Sequence, residues 1–130
     1  MPDVNALSEL RSILGPKGYS DDQDVISPWL TDWRGRFTGA AAALLSPATT
    51  QEVAAIVRIA AKYRLSLVPQ GGNSGMVAGA TPNSSGDQLI LSMRRMNNIT
   101  AIDADAGLIS CEAGVILQNL HEAAAQSGRR

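Results

Sequence analysis

The stretch "VPQGGNSGMVAGATP", Val68 to Pro82, sets the problem this chain poses. Glycine and alanine crowd around one asparagine and one serine, directly after a short apolar run. A backbone so bare either turns sharply or lets something come close. Glycine and asparagine also gather in ordinary surface loops, because both tolerate positive φ. Two features favour a binding loop. The stretch follows what reads as a parallel strand, at the end where open α/β sheets place ligands. Its polar side chains, Asn73 and Ser74, are short and adjacent, so successive amides would form a nest for a diphosphate.

Two familiar phosphate loops are excluded. A Walker loop needs lysine and then serine or threonine after its last glycine, whereas Met76 follows Gly75 and Ala80 follows Gly79. The Rossmann fingerprint needs a glycine two places after Gly71, where Asn73 stands, and a helix opening at once behind the loop.

The flanking sequence predicts a strand, a helix and a strand. "AAAALLSP" reads as a strand closed by Ser46 and Pro47, and "LSLVP" as the strand entering the loop. Between them, "TTQEVAAIVRIAAKYRL" has Thr49 and Glu52 at capping-box spacing, with Val53, Ile56, Val57 and Ala60 as its apolar stripe. This order predicts a right-handed βαβ unit with parallel strands. Further on, "QLILSM" reads as a strand, and "NITAID" and "GLISCE" as a hairpin turned through Asp103, Asp105 and Gly107. "GVILQNLHEAAAQSG" reads as a helix with Ile116, Leu120 and Ala124 on one face and Gly128 as its cap.

Near the amino terminus, "DVNALSELRSILG" predicts a short helix with Asp3 as N-cap, Val4, Leu7, Leu10 and Leu14 near helical spacing, and Gly15 as the stop. Residues 18–39 carry both tryptophans and the single phenylalanine without a clear period. They read as an ordered arm in which Trp29, Trp33 and Phe37 need a packing partner. The fold class expected is α+β: a βαβ unit plus a mixed sheet with flanking helices. Residues 1–39 would be an amino-terminal helix and arm, and residues 40–130 the main domain.

Composition narrows the function. In 130 residues, 45% are hydrophobic and 18% charged, a globular balance. Eleven basic against twelve acidic side chains leave a net charge of −1, which excludes an electrostatic nucleic-acid binder. No apolar run approaches the roughly 20 residues of a membrane span. "MPDVNALSELR" lacks a signal-peptide pattern, and Cys111 is the single cysteine, so the chain is expected to be cytoplasmic. Cys111, in a strand, is expected to be buried, His121 solvated, and Arg94 and Arg95 a solvated pair.

At this point the residues carry a likeness. "PQGGNSGMVAGATP", then "LILSMRRMNNITAIDADAGLISCEAGVILQNLHEAA", resembles the FAD-binding domain of the vanillyl-alcohol oxidase and p-cresol methylhydroxylase superfamily, in the branch of D-2-hydroxyglutarate dehydrogenases, D-lactate dehydrogenases and the glycolate oxidase flavin subunit. Ser74 stands where threonine is common, and Ala78 where glycine is. "DWRGRFTG" and "SPATTQEVAAIVRIA" are similar to the family's arm and first helix, so the likeness runs from about Asp21 to Arg130.

The resemblance implies a first half of a PCMH-type FAD-binding domain. Amides around Gly71, Gly72, Asn73, Ser74 and Gly75 would hold the diphosphate, and the Asn73 and Ser74 side chains would add hydrogen bonds. Pro69 and Gln70 would shape the entry, Met76 would lie along the cofactor, and Ser92 would face the flavin side. It further implies a dehydrogenase that oxidises a D-2-hydroxy acid to the 2-oxo acid and passes electrons to a separate acceptor. The second half of the domain, the catalytic base and the substrate domain would lie outside this chain, leaving it inactive by itself, with no catalytic or metal residue of its own. The alternative from another class is a truncated, non-catalytic interaction module that binds no cofactor and self-associates, for instance as a homodimer, through exposed strand edges.

Overall fold

The computed structural model describes residues 2–129. Helix α1 (Val4–Gly18) begins where the Asp3 carboxylate accepts the Asn5 amide at 2.7 Å, and it is broken at Gly15, whose φ of 68° puts it in the left-handed region just before Pro16. The stripe faces inward through Ala6, Leu10 and Leu14, while Val4, expected inside, is exposed. Helix α3 (Thr50–Tyr63) starts as its capping residue predicts, with Thr49 Oγ1 accepting the Glu52 amide at 3.1 Å, a cap worth about 1 kcal/mol. Its buried face is Ile56, Ile59 and Ala60 rather than one containing Val57, so the helix is turned by about 55° from the expected stripe and keeps Ile56 and Ala60 inside.

A mixed four-stranded sheet runs in the order β1-β2-β4-β3. Strands β2 (Ala43–Leu45) and β3 (Leu67–Gln70) both lie parallel to β4 (Leu89–Ser92), which is inserted between them, so the strands of the expected βαβ unit are not neighbours. Strand β1 (Tyr19–Ser20) adds an antiparallel edge on β2. Alternation along the two central strands divides the core. Ala43, Leu45, Leu89 and Leu91 pack with α1 and α3, whereas Leu44 and Ile90 pack on the opposite face with Ile26, Ala41, Trp29 and Leu30. Covering both faces is what allows "ALL" and "LILS" to be apolar throughout.

The arm therefore does pack, through the short helix α2 (Gln23–Ile26) and the turn at Ser27–Trp29. Trp29 is the aromatic that reaches the core. Trp33 (64% exposed) and Phe37 (58% exposed) do not, contrary to expectation, because they sit on a loop that projects from the arm. Strands β5 (Ile99–Asp103) and β6 (Leu108–Cys111) form the expected antiparallel hairpin as a separate two-stranded sheet, followed by α4 (Leu117–Gln126). No residue of α4 is buried; Ile116 and Leu117, at its start, and Leu108 are exposed. Cys111 is also exposed, since a two-stranded sheet with one open face does not enclose it.

Candidate functional site

Gln70 and Ser92 pair in register at the carboxyl ends of β3 and β4, and the glycine-rich loop leaves the sheet there. The structure decides whether its glycines serve conformation. None of Gly71, Gly72, Gly75 and Gly79 has positive φ, and a Cβ built on any of them meets nothing within 4 Å. The left-handed positions are instead Asn73 (φ 55°) and Ala78 (φ 59°), the latter at a cost of about 1 kcal/mol for a residue with a Cβ. The bareness of the loop answers no demand from its own backbone or neighbours. It leaves room along the loop for something outside the chain.

The loop's amides lead to the same conclusion. Among the described residues, no backbone N–H from Gly71 through Ala80 donates to a protein acceptor. Free donors on a glycine-rich stretch, bare of side chains at Gly71, Gly72, Gly75 and Gly79, suit an anion with several oxygens. Gly71 and Gly72 line a cleft of about 300 Å³ together with Trp29, Arg94, Asn97, Gly114, Ile116 and Asn119. A larger cleft, about 420 Å³, lies against β3 and is lined by Phe37, Pro69 and Gly79 among others, with no charged residue. Free amides and a guanidinium make the smaller cleft the candidate anion site.

Two of the predicted residues act as staples. Gln70 is buried, and its Nε2 donates to the carbonyls of Trp29 at 3.0 Å and Ala80 at 3.1 Å, closing the loop at its base and tying it to the arm. Asn73 Nδ2 donates to the Thr31 carbonyl at 3.0 Å, a second tie to the arm. Ser74, Gly75 and Met76 are exposed on the outer part of the loop. Pro69 faces the larger cleft, and Ser92 is fully buried, its Oγ accepting the Arg94 amide at 3.4 Å. Of the nine residues named from sequence, the structure thus brings Gly71 and Gly72 onto the smaller cleft.

Several residues around the loop and the arm carry no site role in the sequence reading. Arg94 is exposed, as expected, with its guanidinium carbon 5.1 Å from the Trp29 ring centroid, whereas Arg95 is half-buried and its Nη1 donates to the Ser46 carbonyl at 2.9 Å, so the expected solvated pair holds for Arg94 alone. The signal was available, since both follow a parallel strand at the ligand-bearing edge. Asp32 is another. Its carboxylate accepts the amides of Arg36 at 2.8 Å and Phe37 at 2.9 Å, holding together the loop between Thr31 and Thr38.

These amides, that of Phe37 foremost, hold the Asp32 pKa below the ordinary carboxylate value. A depressed carboxylate pKa contributes stability that is present above the unfolded-state value, about 3.9, and is lost as pH falls through the folded-state value. Asp32→Asn is accordingly expected to be less stable than the parent at pH 7. The difference should shrink as pH drops below about 4. Denaturation midpoints of the two proteins at pH 7 and pH 3 check this; a difference independent of pH would contradict it.

Comparison with known proteins gives the following. A family profile described as "FAD binding domain" matches residues 41–130. A protein named "Probable D-2-hydroxyglutarate dehydrogenase, mitochondrial" from Oryza sativa subsp. indica is 40% identical over 114 residues, covering 88% of this chain and 20% of its own length. Among solved structures, an alkyldihydroxyacetonephosphate synthase superposes with a TM-score of 0.83 at 22% identity, covering 98% of this chain and 26% of that one. A p-cresol methylhydroxylase with substrate bound superposes at 0.80 and 23% identity, covering 95% and 24%. These structures share the fold. The chain spans about a fifth of the length of the curated relative it matches.

Proposed function

Because this chain belongs to the FAD-binding domain family, matched along residues 41–130, we propose that it is the diphosphate-holding part of a flavoprotein dehydrogenase that oxidises a D-2-hydroxy acid to the 2-oxo acid. The observation that carries the binding half is the row of free amides from Gly71 to Ala80 beside an open cleft. The substrate half is supported by the name of the 40% identical relative. In this reading residues 40–130 begin the FAD-binding domain and residues 1–39 are its helix and arm. Substrate-orienting groups lie outside the chain, so it is inactive alone.

Bound FAD would supply the hydride acceptor. The chain's own work is to hold it. Gly71 and Gly72 present amides to the diphosphate, Ser74 and Gly75 extend that row, and Gln70 and Asn73 keep the loop against the arm so that the donors are fixed before binding. Met76 is assigned to the cofactor's flank; Ser92, fully buried, does not reach it as the resemblance implied and instead supports the turn that carries Arg94. Preorganised donors cost little reordering when the anion arrives.

The test is anaerobic reduction of the protein expressed from its complete reading frame. D-2-Hydroxyglutarate or D-lactate is expected to bleach the bound flavin, and the L enantiomers are not. Flavin that no 2-hydroxy acid reduces would overturn the substrate reading and leave the binding reading intact. The exposed apolar residues Leu108, Ile116 and Leu117 favour a second reading, a self-associating module without cofactor. Size that depends on concentration, together with no uptake of FAD, would support it.

A further inference from the structure

Among the described residues Arg94 is the one charged residue lining the smaller cleft, and the structure shows how it comes to be there. The Trp29 carbonyl is fixed by Gln70, the residue that also closes the glycine loop at Ala80. The Trp29 ring, partly buried against Ile26, Leu44 and Ile90, carries the Arg94 guanidinium at 5.1 Å from its centroid, within cation–π range. One staple therefore sets both the loop amides and the platform for the guanidinium.

The chemistry of the group is informative. Among the described residues Arg94 forms no ion pair and its guanidinium donates no hydrogen bond. Arg95, next to it, is different: it donates to Ser46 and ties β4 to the end of β2. A stacked, planar guanidinium with its donors free, in a cleft that also holds the Gly71 and Gly72 backbone and the side chains of Asn97 and Asn119, can pair its fork with two oxygens of a tetrahedral phosphate.

We propose that Arg94 is a cofactor-binding residue that neutralises the diphosphate held by Gly71 and Gly72, and that Trp29 is the residue that positions it. This rests on the FAD reading above. Trp29 and Arg94 come from the arm and from the turn after β4, so the arm contributes to the site through a side chain as well as by packing.

The experiment uses the protein from its complete reading frame, stripped of flavin, and titrates it with FAD, ADP and riboflavin at low and high ionic strength. Arg94→Gln is expected to weaken FAD and ADP by about tenfold or more and to flatten their salt dependence, as loss of a charge-assisted contact requires. Riboflavin, which lacks phosphate, is expected to bind both proteins alike. Arg94→Lys should recover part of the affinity, since it restores charge without the planar fork. Trp29→Leu should weaken FAD in the parent and add nothing further in the Arg94→Gln background. FAD and ADP affinities unchanged by Arg94→Gln at both ionic strengths, or an equal loss for riboflavin, would overturn the proposal. Gly72→Val serves as the control for the underlying reading. If it loses FAD while Arg94→Gln does not, the role of Arg94 alone fails; if neither loses FAD, the diphosphate site itself fails.

Discussion

Gly72→Val is expected to abolish flavin binding in the full-length protein while leaving its fold intact. The two halves of this expectation come from different observations. The fold survives because a Cβ at Gly72 meets nothing within 4 Å and its φ is not in the left-handed region. Binding is lost because Gly72 lines the cleft within the amide row, where a branched side chain would take up room that the diphosphate needs. Losing two or more charge-assisted hydrogen bonds, at about 1.5–3 kcal/mol each, lowers affinity by at least about a hundredfold. Flavin content after purification reads the first effect, and the circular dichroism spectrum and unfolding midpoint read the second. A variant that unfolds would show that the loop glycine serves structure instead.

Gly114→Ala is expected to do the reverse, damaging the fold first. Gly114 is the point at which the chain leaving β6 crosses the turn that follows β4. A Cβ there would overlap the Met93 carbonyl and stand 2.8 Å from that of Met96, which already accepts the Gly114 amide. Both neighbours are backbone held by their own hydrogen bonds, with the Met93 amide on Gln70 and the Met96 amide on Met93. Relieving the overlap means moving one segment away from the other, at a cost of about 3 kcal/mol. Gly114 also lines the cleft, so flavin affinity should fall along with the unfolding midpoint. An alanine variant as stable as the parent would mean that the two segments do not approach as described.

The contrast between these glycines shows what was legible in the sequence. Local signals are legible: Asp3 and Thr49 cap their helices, Gly15 breaks α1 where a stop is expected although the helix resumes to Gly18, and the runs "ALL", "LVPQ" and "LILS" are strands. Each depends on a few neighbouring residues. What depends on distant partners was not read. Nothing in "QLILSM" tells that β4 inserts between β2 and β3, and two residues are too few for β1 to show a period. The stripe of α3 includes Ile59 in place of Val57 because several apolar faces were available on that helix and packing chose among them.

The site divides in the same way. Gly71 and Gly72 announce themselves by composition and by their place after a strand. Arg94 looked like one half of a solvated pair, because only the fold brings Trp29 beneath it. Asp32 drew no attention, although an aspartate three residues before a glycine is a common way to organise a turn. In the sequence Gly114 reads as the start of a helix, and its close contact with Met93 is a purely tertiary fact.

The central claim is that the free amides from Gly71 to Ala80 hold the diphosphate of FAD. Its most direct test is the visible absorption spectrum of the protein purified natively from its complete reading frame, with the released chromophore identified by mass. A flavin spectrum and the mass of FAD are expected, both lost in Gly72→Val. A folded, colourless protein that takes up no FAD when it is supplied would contradict it.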